Sequence, residues 1–181
     1  MRSLPVRPAF TDATSNSSFC ADADCSNKAQ ATTMAEKRID VIYTRAMNWL
    51  FKEEPTHYSY DAFTKDKKTV WSGVKNPVAQ RNLRSVKKGD SVFYYHTGDE
   101  KAVVGVAKAA GDAYPDPKDK TGKSHVVDIV PVKKLSRPVT LKEIKADPFF
   151  KDFDLVRISR LSVMPVTDAQ WARIEKLAAK A

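Results

Sequence analysis

In VWSGVKNPVAQRNLR, residues 70–84, a tryptophan directly precedes a Ser-Gly pair, and two arginines follow on a segment opened by Asn-Pro. Aromatic faces beside guanidinium groups suit two kinds of chemistry: stacking of a planar ring and capture of phosphate or a base edge. Trp49, Tyr94 and Tyr95 add aromatic faces, and Arg157 and Arg160 add cations to Arg81 and Arg84, all near the ends of expected elements. Each has a plainer role open to it, Trp71 as a core anchor and the arginines as a solvated face. Trp171, on an amphipathic segment, is expected in the core. Alternation puts one of Tyr94 and Tyr95 inward and the other outward.

Bond-making chemistry has fewer candidates. The chain contains no G-x-S-x-G, no phosphate-binding Gly-rich loop, no H-E-x-x-H and no dinucleotide fingerprint, and only six glycines with which to build one. Cys20 and Cys25 have no second pair for a zinc site, and His57, His96 and His125 are scattered. His96, in FYYHTG, is either a site residue or a satisfied structural hydrogen-bonder. Glu53 and Glu54 are adjacent, so on a strand they face opposite ways and do not form an acid pair. The expectation is a protein that is not an enzyme, with neither cofactor nor metal.

Charge points to an anionic partner. The net charge of +9 is unevenly placed: residues 1–46 carry +1, whereas residues 47–181 hold 25 basic and 17 acidic groups. The excess sits on the portion patterned to fold, which favours nucleic acid over simple solubility. No apolar run reaches membrane-spanning length, and MRSLPVRPAF lacks the apolar core of a secretory signal. A cytoplasmic or nuclear compartment and no membrane partner are expected.

The elements that must position these residues can be read in order. Residues 1–46 are rich in Ser, Thr, Ala, Asp and Asn, and bury too little to offset ordering, so they are expected to be disordered. DVIYTR (40–45) is a weak strand or helix signal. Met34 and Met47 are candidate true starts, which would make part of this tail a mis-assigned extension. MNWLFK then reads as a strand and Ser59 as the cap of a short helix with Tyr60 and Phe63 on one side. Asn76 caps a second helix with Pro77 first, directing Val78, Leu83 and Val86 inward. Residues 91–110 read as an antiparallel hairpin, AYPDPKDKTGKS as a loop, and HVVDIVPVKKL as a strand with Pro131 at an edge or bulge. Thr140 with Glu143 and Thr167 with Gln170 are capping-box signatures. In LVRISRLSVMPV the alternation of Val156 and Ile158 slips phase near Ser159-Arg160, a bulge or a break. The class is α+β, a small curled sheet or barrel with short flanking helices.

Five ordered segments, WLFKEEPTHYSYDAF, VWSGVKNPVAQRNLR, GDSVFYYHTG, VVGVAKAAGDAYPDP and RISRLSVMPVT, together resemble the EVE domain, from Met47 to about Leu177. The resemblance implies two units, a tail (1–46) and an EVE domain (47–181) with a PUA-like β-barrel. It also implies non-catalytic binding of nucleic acid, as in the related YTH readers of methylated adenine in RNA; some EVE domains take modified cytosines of DNA. Where the family pattern is W-x-G-V-R-N-Y-x-A-R-N, Lys75 replaces an arginine and Pro77 an aromatic residue. Lys75 keeps the charge but loses bidentate recognition.

The expected function is therefore capture of one, modified, nucleobase such as 5-methylcytosine in an aromatic pocket with a basic rim. Trp49 and Trp71 are the candidate walls and Ser72 and Asn76 the polar readers. Lys52 and Glu54 are edge contacts, with Tyr95 and His96 lining the pocket from the hairpin and Arg160 and Ser162 completing it. Lys75, Arg81, Arg84 and Arg157 are the candidate phosphate contacts. A monomer is expected, no amphipathic segment being left over. Two other classes stay open: a subunit of a nucleic-acid-modifying enzyme, and an adaptor docking protein partners through AYPDPKDKTGK.

Overall fold

The computed structural model describes residues 46–180. The expectations concerning the tail, DVIYTR, Cys20, Cys25 and the start site lie outside the described residues. Among the described residues, seven strands form one mixed sheet: β1 (Asn48–Glu53), β2 (Thr69–Trp71), β3 (Ser91–His96), β4 (Ala102–Ala109), β5 (Tyr114–Pro115), β6 (His125–Thr140) and β7 (Val163–Val166). Their order is β2-β6-β4-β3-β1-β7, with β5 beside β6. β1 and β3 run parallel, and the remaining pairs are antiparallel.

The sheet is strongly curled. In a flat sheet β2 and β1 would stand four strand spacings apart, about 19 Å. The rings of Trp71 on β2 and Phe51 on β1 instead lie 5.0 Å apart between centroids. The curl makes a half-barrel whose concave face is filled by Phe51, Tyr60, Phe63, Trp71 and Tyr94 in mutual aromatic contact. Bulges permit it: the β3–β4 register shifts at Tyr94/Tyr95, and the β4–β6 register shifts twice. One of those shifts skips Val132, beside Pro131, as the proline predicts. The hydroxyl of Tyr60 sits there, 2.8 Å from the carbonyls of both Val106 and Lys133. Its ring lies so close to β4 that a Cβ on Gly105 would fall 2.4 Å from it, so only glycine fits.

Among the described residues, five short α-helices flank the sheet: α1 (Tyr60–Asp66), α2 (Pro77–Arg84), α3 (Leu141–Ala146), α4 (Asp154–Arg157) and α5 (Asp168–Ala178). Their caps follow the sequence. Ser59 accepts from the Ala62 amide, Asn76 from those of Val78 and Ala79, and Thr140 and Thr167 form complete capping boxes. The inward positions of α2 are Ala79, Leu83 and, just beyond its end, Val86, an i, i+4, i+7 stripe. Val78 lies one residue off that stripe and is 45% exposed, correcting its expected inward placement.

Two further readings change. Residues 154–157 form α4 rather than a strand: Phe150, Phe153 and Leu155 are buried together, and the Ile158 amide donates to the Asp154 carbonyl. The phase slip is thus a break between helix and strand, not a bulge; a short Val-x-Ile alternation cannot separate the two periods. Tyr94 and Tyr95 do face opposite sides, but both are buried, because the convex face is covered as well. There Trp171 of α5 stacks on Phe93 at 3.6 Å between centroids. The segment AYPDPKDKTGKS, expected to be irregular, contributes the two-residue β5.

Candidate functional site

The parallel pair β1–β3 ends with Glu53 opposite His96 on the concave face, and Lys52 opposite Tyr95 on the convex face. On the concave side the half-barrel mouth forms a cleft of about 410 Å³ lined by Glu53, His57, Tyr58, Thr69, Val70, Trp71, Ser72 and Gly73. Trp71 is its back wall; packed on Phe51 and edge-on to Tyr94, it is 5% exposed. Val70, alternating outward, is 48% exposed and offers an apolar side. Ser72 is exposed, and Gly73 turns the chain away with φ 76, in the left-handed region where a side chain is strained.

Polar groups converge from the β1–α1 connection. Glu53 is partly buried, with one carboxylate oxygen accepting from the Glu54 amide at 3.1 Å and standing 3.7 Å from the exposed His57 ring. Tyr58 donates its hydroxyl to Asp66 at 2.7 Å, and its phenol is held above the ordinary tyrosine range by burial and by that carboxylate. Its backbone carbonyl accepts from Tyr94, tying the cleft edge to the core. The result is an indole back wall, an aliphatic side, a hydroxyl and a carboxylate. A planar ring bearing an amine fits that chemistry.

The structure brings together few of the residues singled out in the sequence. Trp71 and Ser72 line the cleft. Asn76 stands nearby in the chain, but its side-chain oxygen is occupied by the α2 amides. Trp49 is buried at the opposite end of β1, its indole N–H donating to Asp90 at 2.8 Å, so it walls no cleft. His96 is buried behind the wall. Its Nε2 accepts from the Tyr60 amide at 3.1 Å, which places the proton of the neutral ring on Nδ1, donating to Glu100 at 2.6 Å. That is the structural alternative. Glu54 accepts from the Thr97 hydroxyl at 2.5 Å.

Lys52 and Tyr95 lie on the convex face in a separate cavity, so they do not meet the indole. Ser162 uses its carbonyl to accept the Lys52 amide. Lys75, Arg81, Arg157 and Arg160 are exposed and line no part of the cleft. Arg84 is bonded to the Lys123 carbonyl and to His125 Nδ1. Glu53, His57, Tyr58, Thr69, Val70 and Gly73 were not singled out for this cleft. The signal available was proximity in the chain: Val70 and Gly73 flank Trp71-Ser72, and Glu53 alternates with Lys52.

A hollow of about 460 Å³ at the other end of β1 includes Asp152, Asp154 and Asp168 in its lining. Three carboxylates there disfavour an anionic ligand. Among the described residues no cluster of His, Cys, Asp and Glu could hold a metal ion, and no helix is long and apolar enough to cross a membrane.

A solved protein of Rhodopseudomonas palustris is 40% identical, with a TM-score of 0.71 over 74% of this chain and 93% of that one. The human THYN1 protein, solved in complex with DNA containing 5-methylcytosine, is 26% identical, with a TM-score of 0.69 over 75% of this chain and 99% of that one. Thymocyte nuclear protein 1 of Gallus gallus is 27% identical over 158 residues, 68% of this chain and 65% of that protein, just under two thirds of its length. The EVE domain profile matches residues 47–177. The chain belongs to the EVE domain family.

Proposed function

We propose that this domain binds nucleic acid without chemistry and reads a single cytosine, methylated at C5, in the cleft at Trp71. One observation carries the reading: the half-barrel mouth places a partly buried carboxylate, an exposed hydroxyl and an aliphatic side against one indole, and the solved human relative of the same fold holds 5-methylcytosine DNA. The N4 amine of cytosine is a donor that Glu53 accepts, a pairing worth about 1–3 kcal/mol against the wrong base. Ser72 and Thr69 supply further polar contacts. The C5 methyl lies towards Val70 and Trp71, and its burial adds about 0.8 kcal/mol, roughly fourfold in affinity. Stacking on Tyr58 and the indole edge offsets the few kcal/mol needed to turn a base out of a duplex.

The methyl by itself gives modest preference, so the base is chosen by Glu53 and the modification is only weighted by the apolar side. The positive excess of residues 47–181 supplies phosphate attraction, with exposed Lys75 near the cleft in sequence. The test is titration at low salt with matched oligonucleotides bearing cytosine, 5-methylcytosine, 5-hydroxymethylcytosine or N6-methyladenine, as DNA and as RNA. Binding strongest for a C5-modified cytosine, with unchanged oligonucleotide mass, is expected. Absence of binding to every one of them would remove the proposal, and a mass change would convert it to an enzyme.

A further inference from the structure

The convex face of the β1–β3 pair carries a second cavity, of about 200 Å³, where Lys52, Lys101 and Lys145 surround a floor of Tyr95, Leu141 and Leu155. We infer that it binds a phosphomonoester carried on a compact apolar body, at a site separate from the base-reading cleft. No acidic residue lines it. The Lys52 ammonium sits 3.0 Å from the Ser159 carbonyl and 5.8 Å from the centroid of the Tyr95 ring, dipoles that do not neutralise it. Among the described residues no carboxylate pairs with Lys52, Lys101 or Lys145. Burial holds the Lys52 ammonium below the usual lysine range, and pushes the Tyr95 phenol up to about 12. A half-buried cation without a counter-anion is what a bound anion stabilises.

The backbone ties together two of the segments that carry these lysines. Lys101 has φ 43, a left-handed conformation uncommon outside glycine and asparagine, and its carbonyl accepts the Leu141 amide at 2.7 Å. That bond joins the β3–β4 turn to the start of α3, whose last turn carries Lys145. Glu100 is on the same turn but is engaged by His96. Three ammonium groups suit a dianion better than a carboxylate, and lysine binds phosphate as a point charge. The apolar floor requires more than inorganic phosphate. An organic phosphate fits, either as a small metabolite or as the 5′-phosphate ending a nucleic-acid strand.

The ¹⁵N-labelled full chain titrated with phenyl phosphate, benzoate, inorganic phosphate and phenol tests this. Phenyl phosphate is expected to move the amide resonances of Gly98, Lys101 and Val156 but not those of Trp71 and Gly73. Inorganic phosphate and benzoate bind several-fold more weakly, and phenol does not bind. Lys101→Asn with Lys145→Gln, checked for unchanged thermal unfolding, weakens phenyl phosphate by about tenfold or more. Lys52→Met is the second variant, with the same expectation. A dinucleotide with a 5′-phosphate that moves the same amides, when its 5′-hydroxyl counterpart does not, identifies a strand end as the source. If neither dinucleotide moves them while phenyl phosphate does, the ligand is a free small phosphate. No movement of those amides with phenyl phosphate, equal movement with phenol, or undiminished binding in the variants overturns the inference. Base binding is read at Trp71 and Gly73, so its failure is distinguishable.

Discussion

At the N-terminal end of β1, Asp90 is 2% exposed and its oxygens accept from the Trp49 indole, the Met47 amide and the Lys87 amide, each at 2.8–2.9 Å. At the C-terminal end, Lys52 and Glu53 face two different openings with no such closure. The same six-residue strand therefore has one end where polar groups are consumed internally and another where they are presented. The two early tryptophans follow suit. Trp49 has its N–H tied within the protein, whereas Trp71, equally buried, borders a cleft. Burial alone does not separate an indole closed off in the interior from one that lines a cleft; what adjoins it does.

Breaking this contrast should affect stability first. Trp71→Ala is expected to cost about 3–5 kcal/mol, read as a lower urea midpoint, and to abolish preference for the modified base in whatever remains folded. Asp90→Ala leaves a buried indole N–H and two amides without their acceptor, for about 3 kcal/mol, again by urea unfolding. Unlike Trp71→Ala, it should leave base affinity of the folded protein unchanged. An equal loss of affinity in both would show that the two ends are not separable.

Subtler changes sharpen the open end. Glu53→Gln should weaken 5-methylcytosine binding roughly tenfold with little shift in melting temperature, because in the proposed complex it replaces a pure acceptor of the N4 amine. Gly73→Ala meets no atom within 4 Å, so its cost is conformational, about 1–2 kcal/mol from the φ of 76, measured by thermal unfolding. Lys75→Ala, at an exposed position, should lower the slope of log affinity against log salt by about one, without altering the order of preference among bases.

Much of the secondary structure was legible because its causes are local. Ser59, Asn76-Pro77, Thr140 with Glu143 and Thr167 with Gln170 open helices by contacts within four residues. The β3–β4 hairpin and the bulge at Pro131 were legible for the same reason. Less was legible in DLVR, where burial of Phe150, Phe153 and Leu155 outweighs a four-residue alternation. Little of the candidate cleft was legible. WSG was found, but its partners Glu53, His57 and Tyr58 reach it only because the sheet curls until β2 meets β1.

Composition, alternation and caps thus determined that this chain forms an α+β domain of short capped helices on a curled sheet, positively charged over its folded portion, with an indole before Ser72-Gly73. Tertiary structure decided which indole borders a cleft, that both faces of β1 open on a cavity at its C-terminal end, and that His96 is satisfied behind the wall. The reason is range: a cap or a turn is settled by neighbours in the chain. The fate of Trp49 rests on Asp90, 41 residues away, and that of Trp71 on Phe51 across a half-barrel.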